Sequence, residues 1–327
     1  MELPADLARR IAEKTEGANR EALTRAAREI SLRYREMTGQ GRRLLTEDME
    51  ALAYAAARMP ATYAAVRTAL GEALGRVSLP EGPLRILDVG AGAGAGAWAA
   101  AGACDVKSIR CLERERAMRE LGAELAHGGE NPALRESQWR EFDLVRDEIP
   151  SGADVVLISY VLGELAEKDR MRALEKCWNA AGTLLLIVEP GTPVGAAHLR
   201  QMREALRKMG AHVAAPCPGE GACPLPETDW CHFTCRVART RLHKALKGGE
   251  APYEDEKFAY LAVSRDPARP CGARVLRHPV IEPGKITVNF CGRQGIEQRV
   301  FRKKDALFKW ARKAGAGDCL EEGDATK

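Results

Sequence analysis

The stretch from Leu84 to Gly96 reads LRILDVGAGAGAG, an apolar strand pattern that ends in an acid and continues into alternating glycines. Glycines let the backbone turn sharply, and they let a ligand approach the main chain at the start of a helix. Similar apolar runs, each followed by an amphipathic stretch, occur at 108–112, 154–159 and 183–188. Strands that alternate with helices predict a parallel sheet covered on both faces, with a nucleotide-type cofactor at the glycine loop.

The pattern of the chain changes three times along its 327 residues. Residues 1–78 show the apolar spacing of helices, and residues 79–212 carry the alternating strands and helices. Residues 213–257 hold clustered cysteines, and residues 258–327 contain three short strand patterns and a basic tail. We therefore predict an α/β protein with an N-terminal helical region, a Rossmann-like core, a cysteine-bearing insertion and a small β extension.

Composition and charge limit the class of protein. Hydrophobic residues make up 45% of the sequence, which is enough for a sizeable buried core. The N-terminal residues MELPADLARRIAEKTE mix acids and bases, unlike a signal or transit peptide. The longest clearly apolar run, Leu184–Val188, is too short to span a bilayer. We expect a globular protein of the cytoplasm that does not enter a membrane and is a monomer when free.

The glycine loop fits two cofactors by spacing alone. Gly90, Gly92 and Ala95 satisfy a permissive dinucleotide fingerprint, and Glu113 follows about twenty residues on, where an acid binds ribose hydroxyls. Asp88, directly before the turn, favours S-adenosylmethionine over NAD. A carboxylate at that position would repel a pyrophosphate, but it can pair with the ammonium group of a bound amino acid.

The run DVGAGAG resembles motif I of the Rossmann-like methyltransferases that bind S-adenosylmethionine. The segment QWREFDL at 138–144 resembles the end of the third strand in that superfamily, which implies that Asp143 contacts the adenine. An ordinary loop acid or a helix cap is the alternative interpretation of Asp143. The predicted cofactor-binding residues are Asp88, Gly90, Gly92, Gly94, Glu113 and Asp143.

A recognisable catalytic motif is missing after the fourth strand. Residues 159–165 read SYVLGEL, where a methyltransferase acting on a base nitrogen often carries NPPY and a cytosine C5 methyltransferase needs Pro-Cys. Tyr160 and Glu164 are the candidates for a proton donor and a base, although Glu164 fits equally well as a helix cap. The sequence therefore leaves open whether the protein is an enzyme.

Cys217, Cys223 and Cys231 fall within fifteen residues. In a reducing compartment, clustered thiols indicate a metal or iron–sulfur site rather than disulfides. Their irregular spacing, with a proline after each of the first two, favours a [4Fe–4S] cluster over the paired ligands of zinc, which stays the alternative. The fourth ligand is open. Cys235 would share a helical face with Cys231, Cys291 ends an apolar strand, and Cys271 is a third candidate.

Basic residues form two groups downstream of the clustered cysteines. The first group is Arg236, Arg239, Arg241, His243, Lys244 and Lys247. The second group is Arg299, Arg302, Lys303, Lys304, Lys309, Arg312 and Lys313. Local basic stripes on a chain of net charge +4 suit contact with nucleic acid, and a solvated helix face is the alternative.

Several motifs together resemble one family. They are RMPATYAAV at 58–66, the glycine loop, IVEPGTPVG at 187–195, APCP, CPL and DWCHF within 215–233, EDEKFAYLAVSR at 254–265 and VNFCG at 288–292. The chain resembles the methyltransferase-like family of small ribosomal subunit assembly factors of bacteria and mitochondria. This resemblance implies a Rossmann-like class I methyltransferase fold that depends on S-adenosylmethionine, and a [4Fe–4S] cluster held by Cys217, Cys223, Cys231 and Cys291.

The resemblance also implies a partner, the small ribosomal subunit and its rRNA. The expected function is that of an assembly factor that binds S-adenosylmethionine, a structural [4Fe–4S] cluster and rRNA, with little or no methyl transfer. Two alternatives stay open: an active rRNA methyltransferase that uses S-adenosylmethionine, and an oxidoreductase that passes electrons between NAD and the cluster.

Overall fold

A computed structural model describes residues 1–36 and 47–321 of the chain, so the parts of the predicted regions at 37–46 and 322–327 lie outside the described residues. The helices are α1 Ala5–Glu16, α2 Arg20–Glu36, α3 Asp48–Ala57, α4 Met59–Leu74, α5 Ala95–Ala103, α6 Arg116–His127, α7 Pro132–Arg135, α8 Glu167–Ala180, α9 Pro193–Lys208, α10 Arg241–Lys247 and α11 Phe308–Lys313. The strands are β1 Leu84–Val89, β2 Val106–Glu113, β3 Gln138–Glu141, β4 Ala153–Ser159, β5 Ala181–Pro190, β6 His212–Ala215, β7 Phe233–Ala238, β8 Tyr253–Ser264, β9 Ala273–Val275, β10 Val280–Glu282, β11 Lys285–Gly292, β12 Gly295–Arg302 and β13 Cys319–Leu320.

The chain forms two compact units. The first unit comprises residues 1–71, 79–189 and 235–256, and the second comprises 72–78, 190–234 and 257–327. The predicted boundaries at 212 and 257 do not coincide with this division. The segment predicted as one cysteine-bearing insertion is instead divided between the units at residue 235.

A parallel sheet forms the centre of the first unit. Its strands pair in the order β3-β2-β1-β4-β5, and each of these pairs is parallel. β4 is buried along almost its whole length, as expected of a parallel strand whose two faces are both covered. The strand order reverses between β1 and β4, which is where open α/β sheets bind ligands. This is the predicted Rossmann-like class I methyltransferase fold.

The N-terminal helices confirm the predicted helical region. α1 buries Leu7 and Ile11, four residues apart on one face. α3 begins at a capping box, and a single residue, Arg58, separates it from α4. Pro60 lies in the first turn of α4, where a proline is tolerated. Within the described ranges, no helix combines the length and the apolar character needed to cross a membrane.

An antiparallel sheet in the second unit is the predicted small β extension. β11 pairs with β12 along its whole length and also with β9 and β10, and β13 pairs with β9. Ile286, Val288 and Phe290 alternate along the buried face of β11, and the ring of Trp310 in α11 stacks on Phe290 with centroids 6.2 Å apart.

Cys271 and Cys319 are joined by a disulfide, and their Cα atoms are 5.9 Å apart. Cys271 was a candidate for the fourth metal ligand and disulfides were not expected, so this pair is a correction. The two residues are 48 positions apart, and only the pairing of β13 with β9 brings them together.

Candidate functional site

The glycine loop connects β1 to α5. Gly90, Gly92 and Gly94 have φ values of 68°, 56° and 93°, a region that residues with a Cβ adopt only at a cost. A Cβ at Gly90 would lie 2.4 Å from the side chain of Val161, so a larger residue would force the loop away from the segment that follows β4. Gly90 and Gly92 line a cleft beyond the ends of the strands, whereas Gly94 is the N-cap of α5.

Asp88 lies beneath this loop rather than on the wall of the cleft. Its side chain is fully buried, and Oδ2 accepts a hydrogen bond from the N–H of Ala97 over 2.9 Å. Oδ1 has no hydrogen-bond partner among the described residues. Burial raises the pKa of this carboxyl group to about 7. Asp88 therefore contacts the first turn of α5, and its predicted pairing with a bound ammonium group stays a prediction.

Glu113 ends β2, the position that the sequence predicts, and its carboxylate contacts the glycine loop. Its Oε2 accepts a hydrogen bond from the N–H of Gly92 over 2.8 Å, and its Oε1 accepts one from the N–H of Glu115 over 2.7 Å. Burial raises the pKa of Glu113 above its ordinary value, although both backbone hydrogen bonds favour the ionised form. One carboxylate thus fixes the loop and also lines the cleft.

The cleft has an empty volume of about 910 Å³ and lies within the first unit. Asp143 is part of its wall, in the turn after β3, where Oδ1 accepts a hydrogen bond from the N–H of Val145 over 2.9 Å. Both interpretations of Asp143, a cofactor contact and a loop acid, fit this position.

Acids dominate the charged lining of the cleft. Among the described residues they are Glu113, Glu115, Asp143 and Glu164, beside a single base, Arg114. Burial, and next the neighbouring Glu189, raise the pKa of Glu164 to about 8. Such a lining suits a cationic ligand and disfavours a pyrophosphate.

The two candidates for a proton donor and a base also line the cleft. Tyr160 follows β4, and its hydroxyl group donates to Oε1 of Glu256 over 3.0 Å; Glu164 ends a short 3-10 helix at Leu162–Glu164. Sequence reasoning missed Tyr54, which reaches the cleft from α3. A lone aromatic residue in the alanine-rich run ALAYAAA was the only signal for it.

Four thiols line a second cavity, which lies in the second unit and has an empty volume of about 810 Å³. Cys217, Cys223 and Cys231 come from the segment between β6 and β7, and Cys291 comes from the end of β11. Burial, and next the neighbouring thiols, raise the pKa values of Cys231 and Cys291 to about 12. The structure thus brings together the four cysteines that the family resemblance selects.

Cys235 does not line this cavity. It lies in β7, a strand of alternating buried and exposed residues, and it belongs to the first unit. The argument that it shares a helical face with Cys231 is wrong because the segment from Phe233 to Ala238 is extended.

Two arginines also line the thiol cavity. The side chains of Arg203 and Arg274 are only 5% and 4% exposed. Arg203 donates through Nη2 to the carbonyl oxygens of Gly219 and Gly221, and Arg274 donates through Nε to that of Pro216. In the part of the chain that the structure describes, no three His, Cys, Asp or Glu side chains are arranged to hold a single metal ion.

Residues 48–321 match the family described as mitochondrial small ribosomal subunit Rsm22, and this range contains both the cleft and the thiol cavity. The chain belongs to the Rsm22 family. The predicted resemblance is therefore confirmed for the family, whose description refers to the small ribosomal subunit. A search among curated protein sequences gave no match to this Rsm22-family chain.

Solved structures with a similar fold include three methyltransferases, each 14% identical to the Rsm22-family chain. One from Aquifex aeolicus, described as SAM dependent, aligns over 67% of this chain and 99% of its own with a TM-score of 0.42. A putative RNA methyltransferase from Pyrococcus horikoshii aligns over 73% and 95% with a TM-score of 0.40. Magnesium protoporphyrin IX methyltransferase from Synechocystis, with bound SAM, aligns over 72% and 91% with a TM-score of 0.39.

The two basic groups of this Rsm22-family chain differ in their surroundings. In the first group, Arg236 pairs with Asp255 over 2.9 Å, and both Arg239 and Lys247 pair with Glu254 over 2.8 Å. Acids of β8 therefore neutralise much of that group, which the sequence analysis did not anticipate. In the second group, the exposed residues are Arg302, Lys303, Lys304, Lys309, Arg312 and Lys313.

Proposed function

We propose that this chain is an assembly factor of the small ribosomal subunit that binds S-adenosylmethionine and a [4Fe–4S] cluster and transfers little or no methyl. The observation that carries the proposal is the convergence of Cys217, Cys223, Cys231 and Cys291 on one cavity, in an Rsm22-family chain whose other unit has a glycine-loop cleft.

The residues of the cleft fit S-adenosylmethionine. Glu113 faces the cleft at the end of β2, where a carboxylate can accept hydrogen bonds from ribose hydroxyls, and Asp143 would contact the adenine. The acidic lining favours a ligand with sulfonium and ammonium charges. Asp88 would act indirectly, by holding the start of α5 through the N–H of Ala97. NAD is the alternative, which the same acids disfavour because they would repel its pyrophosphate.

The thiol cavity fits an iron–sulfur cluster held by four cysteines. When bound, the cluster would cross-link the segment 217–231 to the end of β11, and four thiolates leave no open iron, so its role would be structural. Arg203 and Arg274 line the same cavity, and each also pairs with a carboxylate, Glu204 over 2.7 Å and Glu72 over 2.9 Å. Zinc is the alternative.

The states of the two candidate catalytic residues favour the proposal of little or no methyl transfer. The phenol of Tyr160 already donates to Glu256, and a carboxyl group with a pKa of about 8 is mostly protonated at neutral pH, so Glu164 is a poor base there. An active rRNA methyltransferase is the second candidate function. The position of Glu164 in the cleft favours it, since a local rise in pH or a cationic ligand would ionise this group.

Three measurements on protein purified without oxygen test this proposal. We expect a brown protein with iron and sulfide in equal amounts, tighter calorimetric binding of S-adenosylmethionine than of NAD, and no incorporation of labelled methyl into immature small-subunit particles. A colourless protein with stoichiometric zinc would refute the cluster. Tighter binding of NAD would refute the cofactor, and methyl incorporation would establish the second candidate function.

A further inference from the structure

Tyr160 has an unusual backbone conformation for a residue in the wall of a cleft. Its φ of 58° makes it the one non-glycine residue with a positive φ in the described part of the chain. A bulky side chain adopts this left-handed region only at a cost, and such strain is concentrated at functional sites. Its N–H donates to the carbonyl oxygen of Val188 over 2.7 Å, which anchors the strained residue to β5.

The side chain of Tyr160 is held as firmly as its backbone. Its hydroxyl group donates to Oε1 of Glu256 over 3.0 Å. Arg58 donates two hydrogen bonds to the same carboxylate, over 2.9 and 2.8 Å, and its guanidinium carbon lies 5.5 Å from the centroid of the Tyr160 ring. A bidentate arginine–carboxylate pair is a directional contact, so these three side chains fix one another.

The same helix junction supplies a second residue to the cleft. Tyr54 lies in α3, about one turn before Arg58, which follows that helix. Tyr54 lines the cleft together with Tyr160. Its hydroxyl group lies 3.3 Å from Oγ1 of Thr62, four residues after Arg58 in the next helix. The motif RMPATY therefore does not merely separate two helices, because it braces two aromatic residues of the cleft wall.

We propose that Arg58 and Glu256 are positioning residues that hold strained Tyr160 as a ligand-contacting wall of the cleft and thereby set its affinity for S-adenosylmethionine. This inference rests on the proposed function. It explains why two motifs that lie far apart in the sequence, RMPATY and EDEKF, both carry a charged residue that reaches Tyr160. Aromatic rings also suit a cationic ligand, since the face of the ring attracts positive charge.

Calorimetry with S-adenosylmethionine and S-adenosylhomocysteine, together with thermal melting, tests the proposal on the full chain. Tyr160→Phe removes the hydrogen bond that the phenol donates, and Glu256→Gln removes the carboxylate charge and with it the bidentate pair with Arg58. We expect each to weaken binding by about tenfold, the effect of one buried hydrogen bond. Tyr160→Asn should weaken it further, because it removes the ring from the cleft wall while asparagine tolerates the left-handed conformation.

A matched control pair lies in the same unit and does not line the cleft. Arg85 donates through Nε and Nη2 to Asp154, over 3.0 and 2.6 Å, so Asp154→Asn breaks a comparable ion pair and should leave the affinity unchanged. If these residues acted only in folding, their substitution would lower the melting temperature and leave the affinity of the folded variants unchanged.

The outcomes separate this inference from the proposed function. Wild-type affinity in Tyr160→Phe, Tyr160→Asn and Glu256→Gln would overturn the positioning role and leave cofactor binding intact. Failure of the wild-type protein to bind either ligand would refute the proposed function, and the inference with it. If Glu256→Gln does not fold, Tyr160→Phe decides the question, because it keeps the buried ring and removes only the hydroxyl group.

Discussion

Cys291 lies directly opposite Arg274 in the antiparallel pairing of β11 with β9. Arg274 in turn donates through Nε to the carbonyl oxygen of Pro216, the residue before Cys217, over 3.1 Å. A single arginine on the strand next to Cys291 therefore also contacts the segment that carries the other three cysteines. The geometry of the thiol cavity depends on this long-range pairing and not on the spacing of the cysteines along the chain.

Substitution of single cysteines tests which thiols would hold the proposed cluster. Cys291→Ser should abolish the brown colour and lower the iron content of protein purified without oxygen, because it removes one of the four thiols that line the cavity. Cys235→Ser is the matched control and should keep both, since that cysteine lies in β7 outside the cavity. The reverse result would show that Cys235 is the fourth ligand.

The pKa of Glu164 predicts how ligand preference changes with pH. Its carboxyl group faces Glu189, Glu113, Arg114 and Glu115, and burial is the main reason that its pKa is about 8. Below pH 8 the carboxyl group of Glu164 is mostly protonated and neutral. Above pH 8 it is mostly ionised, and the carboxylate attracts a sulfonium cation. The ratio of affinities for S-adenosylmethionine and S-adenosylhomocysteine should therefore rise between pH 6 and 9.

Comparison of these two ligands isolates the sulfonium charge, because both carry the same amino group. Calorimetry at several pH values measures the ratio, and Glu164→Gln should make it independent of pH. A ratio that rises equally in Glu164→Gln would assign the titration to another group of the cleft.

The disulfide between Cys271 and Cys319 predicts a stability effect. It closes a loop of 48 residues in the second unit, so its removal should lower stability by about 4 kcal/mol on the chain-entropy estimate. Denaturant unfolding of Cys319→Ser, compared with wild-type protein with and without a dithiol reductant, measures the loss. The free cysteine Cys104 is a control, and Cys104→Ser should respond to the reductant as wild-type protein does.

Local sequence patterns were sufficient for the core of the fold. The structure of the run from Leu84 to Gly96 could be predicted locally, because a buried strand, left-handed glycines and a helix start follow one another directly along the chain. The position of Glu113 was also predictable, since it ends the neighbouring parallel strand. Asp88 was not, because its burial depends on how α5 packs over the loop.

Long-range pairing explains the other differences. The cysteines at 235 and 291 could not be distinguished by spacing, because the choice depends on whether residues 233–238 are a strand and on the register of β11 with β9. The sequence of the first basic group favours contact with nucleic acid. In the structure, however, Glu254 and Asp255 of β8 pair with that group. Neither contact leaves a periodic signal in the sequence.

The exposed basic group of the second unit predicts how rRNA binding depends on salt. Each phosphate contact contributes about 0.7 to 0.9 to the slope of log affinity against log salt, so Lys303→Ala with Lys304→Ala should lower the slope by up to about 2. Filter binding with small-subunit rRNA measures it. Arg236→Ala is the matched control, and it should leave the slope unchanged because Asp255 already neutralises Arg236.

Removal of the cluster should affect the two units differently. The four thiols belong to the second unit, which also carries the exposed basic group, whereas the residues that line the cofactor cleft belong to the first. Loss of the proposed cross-link between β11 and the segment 217–231 should therefore loosen the unit that carries the exposed basic group. An iron chelator should weaken rRNA binding at least tenfold, which corresponds to about 1.4 kcal/mol. It should change the affinity for S-adenosylmethionine by less than about twofold. Equal loss of both would show instead that the cluster supports the whole chain.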